Sequence, residues 1–311
     1  MSGEFDRVAR LRAIFAGAHR GVILGIGDDA AILAGDVLAT GAVLSTDAAI
    51  EDVHFRRAWI GQGVTWRDVA YRAAAAALSD LAAMGAEPRA MLTSWAFPRD
   101  VGDDVVDEIA RGFRDAADVY GAPVIGGNLA RAREIGLTTT VIGAAPARAP
   151  RRDGAQAGDV LWATGALGEA ALGLAALEAG IAREPDAAAF VSRFVRPPSR
   201  IDAGRAAAQS AHAMIDVSDG LLQDLGHLCD ASGVGARLDA LAPTREADAL
   251  ARRLGVDARA LLESGGDDYE LLITAAPGVD LSRIAHPIGE ITREPGIVGA
   301  TTARTGFDHF G

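Results

Sequence analysis

Five short acidic motifs, each set in apolar sequence, carry the chemistry of this chain. They are LGIGDDAAIL (24–33), LSTDAAIEDVHF (44–55), LSDLAAMG (78–85), MIDVSDGL (214–221) and SGGDDYELLIT (264–274). Neighbouring carboxylates repel one another and are costly to bury, so a chain that keeps placing them beside apolar runs calls for a compensating cation. Magnesium suits this pattern, because it takes hard oxygen ligands and binds through a few carboxylates together with nucleotide phosphates. Several such ions neutralise a polyphosphate and align the attacking and leaving oxygens of a phosphoryl transfer. Taken singly, each motif reads equally well as a turn or a helix cap, since Asp favours both. Five together are harder to explain that way. An EF-hand calcium loop is excluded, because its alternating Asp/Asn pattern ending in Glu is absent.

Four other features bear on a site. GGNLARA (126–132) is a glycine-rich turn, either a phosphate-binding nest or an ordinary β-turn. His54 is either a core histidine or a ligand contact, both roles that neutral imidazole fills. Arg152 is a solvated charge unless phosphate oxygens meet its guanidinium fork. Cys229, the only cysteine, has no partner at metal-ligand spacing and reads as packing; it excludes an internal disulfide and fits a reducing, cytoplasmic setting.

What is missing narrows the chemistry further. All 30 basic residues are arginine. A P-loop lysine, a lysine Schiff base and a kinase strand lysine are therefore excluded, and phosphate must be held by metal ions, arginine and backbone amides. A formal net charge of −12 repels nucleic acids and anionic membranes. No stretch approaches the roughly 20 apolar residues of a membrane span, and the N-terminus lacks the apolar core of a signal peptide.

The elements that must position these residues follow from periodicity. A helix over 4–19 leads to a strand at VILGI, and VLATGAVLSTD reads as one or two strands ending at Asp47. The alanine-rich segment 66–86 is the clearest helix, with Gly85 as its stop. A strand at AMLTSWAFP, an amphipathic helix at DDVVDEIARGFRDAADVYG, and strands PVIGGN and IGLTTTVIGAA around a glycine-rich turn complete the first half. The Pro-, Gly- and Arg-rich stretch 145–158 marks a boundary between domains at 1–147 and 148–311. Beyond it come strand DVLWATG, helices 168–180, 186–194 and 200–211, strand AMIDV before SDG, helix 220–231, strand GARLDA, helices within 246–264, and strand YELLITA. With 311 residues, two α/β or α+β domains are expected.

The motifs also occur in a known order. GIGDDAAIL, STDAAIEDVHF, ALSDLAAMGAEP, IGGN, RRDGAQAGD, RPPSRID, IDVSDGLLQDLGH, SGGDDYELLIT and the terminal GFDHF resemble the thiamine-monophosphate kinases, within the aminoimidazole ribonucleotide synthetase-like superfamily. The resemblance runs from about residue 25 to 310 and implies a two-domain PurM-like architecture. In it an N-terminal mixed sheet with helices pairs in a homodimer, and a C-terminal α/β domain follows. It implies transfer of the γ-phosphoryl group of ATP onto thiamine monophosphate by direct in-line attack, with several Mg2+ ions and ATP held between protomers or domains. Carried over by position, Asp29, Ser45, Thr46, Asp47, Asp80, Asn128, Asp216 and Asp219 are its magnesium ligands. Gly127, Asn128, Arg152 and Ser218 are its ATP contacts, and His54, Asp267 and Phe307 form the thiamine phosphate side. An aromatic ring there suits a cationic thiazolium.

Three positions depart from the family pattern. Asn128 stands where Asp is common, and ligates with one charge less. Asp267 stands where Glu is usual and reaches one methylene less far, and Ala77 replaces a common Asn. No residue is set aside as acid or base, because a substrate phosphate oxygen is already ionised near neutral pH. The alternatives are another ATP-dependent enzyme of the superfamily or an inert nucleotide- or metal-binding module. Selenophosphate synthetase and the hydrogenase-maturation dehydratase are disfavoured, because each needs a cysteine this chain lacks.

Overall fold

The computed structural model describes residues 4–17, 19–26, 31–302 and 306. It divides into one unit of Met1–Leu81 with Ala86–Ala145 and a second of Ala82–Gly85 with Pro146–Gly311.

In the first unit, α1 (Glu4–Ile14), a small β1–β2 ribbon (Val22–Leu24, Ile32–Leu33), β3 (Ala42–Ile50), α2 (Trp66–Ala83), β4 (Glu87–Phe97), α3 (Asp103–Tyr120), β5 (Val124–Arg131) and β6 (Gly136–Ala144) follow in order. The sheet runs β3-β6-β4-β5, with β4 and β5 parallel and the other pairs antiparallel. Alanine lets α2 bury almost its whole length, from Val69 and Ala70 to Leu81 and Ala82. The amphipathic α3 buries Val106, Ile109, Ala110, Phe113, Ala116 and Ala117, the spacing of one helix face. Gly112 allows α3 to meet α2, since a Cβ there would stand 2.2 Å from the Arg67 carbonyl oxygen. One face of the sheet packs under these helices through Trp95, Leu137, Thr139 and Val141, with Trp95 and Phe113 ring centres 5.1 Å apart. The other face keeps Leu44 64% exposed, beside Thr46 and Thr140, whose hydroxyls lie 3.1 Å apart.

The second unit contains β7 (Val160–Ala163), α4 (Glu169–Glu178), α5 (Ala188–Val195), α6 (Ile201–Ala207), β8 (Ala211–Val217), α7 (Leu221–Ser232), β9 (Gly235–Leu238), α8 (Arg245–Leu254), α9 (Ala258–Ser264), β10 (Glu270–Ala275), β11 (His286–Thr292) and β12 (Gly296–Val298). Its sheet runs β12-β9-β11-β7-β10-β8, parallel only between β12 and β9. Every residue of β10 is buried, which explains its continuous apolar run. Leu221, Leu225, Leu228 and Cys229 of α7 pack with Ile215, Val217, Leu272 and Ile288 of the sheet. Burial, then the charge of Asp230, pushes the Cys229 thiol up to about 11, as packing rather than reactivity requires.

Most elements stand where periodicity places them, with four differences. Residues 35–38 form a 3-10 turn rather than a strand, and β3 continues three residues past Asp47. The GGN sequence lies inside β5 and is not a turn, so the β-turn and nest readings both give way. Gly127 is needed there for close strand approach: a Cβ would lie 2.2 Å from the Thr93 carbonyl oxygen. The helix expected over 200–211 ends at Ala207 so that β8 can begin at Ala211. Strands β11 and β12 carry turn-rich sequence that periodicity does not single out. Among the described residues no helix is long and apolar enough to cross a membrane.

Candidate active site

In the second unit two acidic motifs, some 50 residues apart in sequence, become one structure. The Asp267 amide donates to the Ser218 carbonyl at 2.8 Å, and the Tyr269 amide to Val217 at 2.8 Å. Gly266 lies so close to Ser218 that a Cβ would meet its carbonyl oxygen at 2.5 Å. The chain passes this point with positive φ at Asp267 (69°) and Tyr269 (51°), a conformation held by those bonds. Tyr269 also donates its hydroxyl to Asp267 Oδ1 at 3.2 Å. Loops 217–220 and 266–269 are thus laid against each other, bringing Ser218, Asp219 and Asp267 to one place.

Asp224 holds this place from below. A single carboxylate oxygen, Oδ2, accepts the amides of Ser218 (3.0 Å), Asp219 (3.0 Å) and Gly220 (3.1 Å) at the start of α7. Burial pushes the Asp224 carboxyl up to about 6; the Gly220 amide opposes this, and the charge of Asp219 adds to it. Asp268 does the same for α4, accepting from Gly168 at 2.6 Å and Ala170 at 3.1 Å. Its burial pushes the carboxyl well above the ordinary range against those two amides. Asp216 is buried near the end of β8. Ile215 and Val217 on either side enter the core with α7, so Asp216 turns to the other face of the sheet. Arg152 is exposed in a 3-10 turn whose carbonyl accepts the Ser232 hydroxyl at 2.7 Å.

In the first unit regular elements bring the acids together. Ser45 on β3 donates to Asp80 Oδ2 on α2 at 2.5 Å. Asp47, two residues along the same strand, shares the Ser45 face and is exposed; its Oδ1 accepts the Ala48 amide at 2.6 Å. Thr46 turns to the opposite face, where its hydroxyl donates to the Thr139 carbonyl at 3.2 Å. His54 follows a turn with positive φ at Asp52 (63°), and its Nδ1 accepts the Ile50 amide at 3.1 Å. Buried Glu51 fixes that turn, receiving the Arg57 guanidinium and the Ile135 amide at 2.9 Å. Gly127 and Asn128 are exposed on β5, level with Thr93 and Ser94 of β4.

The structure therefore joins Ser45 to Asp80, and Ser218 and Asp219 to Asp267, within their respective units. It does not put Thr46 on the Asp47 face. Asp29 and Phe307 lie outside the described residues. Among the described residues no three His, Cys, Asp or Glu side chains are arranged to hold a metal ion. The donor set nevertheless suits magnesium, being entirely oxygen. Among the described residues Asp47 and Asp219 accept only from uncharged donors, the Ala48 amide and the Gln223 side-chain amide, so no described arginine cancels their charge. The buried Glu270 is treated otherwise: it takes Arg200 through two bonds of 2.5 and 2.6 Å, together with the Thr164 hydroxyl. Sequence reasoning missed Asp224, Asp268 and Gln223. For Gln223 and Asp224 the available signal was position, since both stand in the first turn of α7 within a motif already singled out, and Asp268 adjoins Asp267 just before β10.

The model of the AIR synthase related protein N-terminal domain matches residues 27–145, and that of the C-terminal domain residues 156–299. The chain is 37% identical over 331 residues to a thiamine-monophosphate kinase of Escherichia coli O157:H7, covering 99% of this chain and 98% of that protein. A crystal structure of thiamine-monophosphate kinase from Stenotrophomonas maltophilia K279a superposes with a TM-score of 0.82 at 33% identity, covering 95% and 96% of the two chains. AaThiL complexed with AMPPCP and TMP superposes with a TM-score of 0.81 at 27% identity, covering 99% and 97%. The chain belongs to the AIR synthase related family and, within it, to the thiamine-monophosphate kinases.

Proposed function

We infer that this chain transfers the γ-phosphoryl group of ATP to the phosphate of thiamine monophosphate, giving thiamine diphosphate and ADP. The kinase relatives and the AMPPCP–TMP complex of AaThiL support this reading. The observation that supports it in this chain is the pair of loops joined at Ser218–Asp267, since we read Asp219 as a metal ligand and Asp267 as an acceptor contact. Asp29, Ser45, Thr46, Asp47, Asp80, Asn128, Asp216 and Asp219 are the residues to hold magnesium. When bound, these ions supply positive charge against two mutually repelling phosphates. Gly127, Asn128, Arg152 and Ser218 serve ATP, and His54, Asp267 and Phe307 serve the acceptor.

A non-bridging oxygen of the acceptor phosphate attacks the γ-phosphorus in line. A new P–O bond forms as the bond to the β-phosphate oxygen breaks, and ADP leaves with that electron pair. The attacking oxygen carries its own charge, so the protein's part is positioning and electrostatics rather than proton removal. The chain acts as a homodimer formed through the sheet face that carries exposed Leu44. ATP as co-substrate and a lone buried cysteine fit a cytoplasmic site of action.

An ADP-release assay with ATP, magnesium and thiamine monophosphate, repeated with plain thiamine, tests the reaction. Release with the monophosphate is expected; release only with plain thiamine, or none in a folded protein, rejects the reading. Leu44→Arg is expected to yield monomers in sedimentation velocity, and an unchanged dimer rejects this interface.

A further inference from the structure

Arginine clamps the buried Glu263 and Glu270, but Asp219 is held by an amide. Gln223, four residues along on the first turn of α7, donates its Nε2 to Asp219 Oδ2 at 3.0 Å. An uncharged donor fixes a carboxylate's orientation while leaving its full negative charge for a cation, which a guanidinium would not do. That choice is what a metal ligand requires of its supporting residue.

Gln223 is itself confined by the far end of the chain. A Cβ at Gly306 would stand 2.6 Å from Gln223 Oε1, 2.7 Å from Gln223 Cβ and 2.7 Å from the Asp219 carbonyl oxygen. No side chain fits there, so the backbone at 306 lies directly on the residue that orients Asp219. Thr301 and Thr302, a few residues earlier in the sequence, are themselves moored. Glu263 on α9, buried and paired with Arg259 at 2.8 Å, accepts the Thr301 amide (2.8 Å), the Thr302 amide (2.8 Å) and the Thr301 hydroxyl (3.0 Å).

We propose that Gln223 is a positioning residue for Asp219, and that the backbone at Gly306 braces Gln223 by its close approach. The inference rests on the reading of Asp219 as a magnesium ligand. It joins the C-terminal segment to the metal side of the site, so that the two are set by one contact.

The test uses the full chain and manganese(II), bound in the presence of a non-hydrolysable ATP analogue and read by electron paramagnetic resonance. Gln223→Leu removes the donor at similar volume, and Gly306→Ala adds the excluded Cβ. Both are expected to weaken manganese binding about ten-fold, the usual cost of losing a supporting residue behind a metal ligand, and to raise the half-saturating magnesium concentration for turnover alike. Gly306→Ala should add little on top of Gln223→Leu, because the brace acts through Gln223. Wild-type manganese binding in folded Gln223→Leu or Gly306→Ala, alongside its loss in Asp219→Asn, overturns the inference and leaves the metal reading standing. Fully additive losses in the double variant overturn the brace. Wild-type binding in Asp219→Asn overturns the reading of Asp219 and this inference with it.

Discussion

The two units hold their acids by different means. In the first, Ser45, Asp47 and Asp80 project from a strand and a helix whose conformations are set by sheet register and alanine packing. In the second, Asp219 and Asp267 sit on loops that have no regular conformation of their own. These loops exist because backbone bonds tie 217–218 to 267–269 and because Asp224 gathers three amides. The difference teaches where function and fold can be separated. An acid that projects from an element towards the site can be changed with little effect on the fold, whereas an acid such as Asp224, which gathers the amides of a loop, is part of the fold.

The sharpest way to break this contrast is to neutralise one acid from each side. Asp47→Asn and Asp219→Asn keep size and hydrogen-bonding capacity, and each removes one negative charge. Both are expected to cut turnover roughly a hundred- to a thousand-fold, the scale of losing one electrostatic contact to a phosphoryl transition state. Melting temperatures should stay near wild type. Near-normal turnover in either folded variant rejects that residue's assignment.

Stability should then separate the two units. Asp224→Ala leaves three amides at the start of α7, one buried and two partly buried, without their acceptor and is expected to cost about 3 kcal/mol in denaturant unfolding, with turnover falling as the loop loosens. Asp80→Ala removes a side chain from a helix that favours alanine and is expected to cost about 1 kcal/mol or less. Equal costs for the two would erase the distinction between acids held by elements and acids that hold loops.

This contrast also explains what was legible in the sequence. Helices α2 and α3 and the buried β10 announce themselves through alanine content, 3.6-residue spacing and the apolar run 271–273, so much of the first unit and one interior strand of the second were readable. The acidic motifs were readable as a set. Their partnership was not, because pairing 217–220 with 266–269 depends on backbone bonds between segments with no shared period. Asp224 looks like an ordinary helix-start acid in sequence and Asp268 like the second acid of a turn before a strand, and only the fold shows that each gathers amides, Asp224 from the turn before its own helix and Asp268 from about 100 residues away. The GGN sequence misled for the opposite reason. Glycine usually marks a turn, but here it marks a strand that must pass within contact of β4.

The smallest expected effect concerns pH and the mooring of the C-terminal segment. Burial pushes the Glu263 carboxyl upward, but Arg259 and the Thr301 and Thr302 groups outweigh it and hold the group below its ordinary value of 4.5. As pH falls through that value, the unfolded chain takes up a proton that the folded chain still refuses. The stabilisation is therefore complete above the ordinary value and is lost as pH falls through the folded one. Glu263→Gln keeps the shape but not the charge, so it should melt below wild type near neutrality, with the gap closing only as pH falls below the ordinary value of 4.5. Thermal unfolding of both proteins from neutrality to below that value checks this. A gap that stays constant with pH would mean that the charge on Glu263 does not stabilise the fold, and that its hydrogen-bond geometry alone secures residues 301–302.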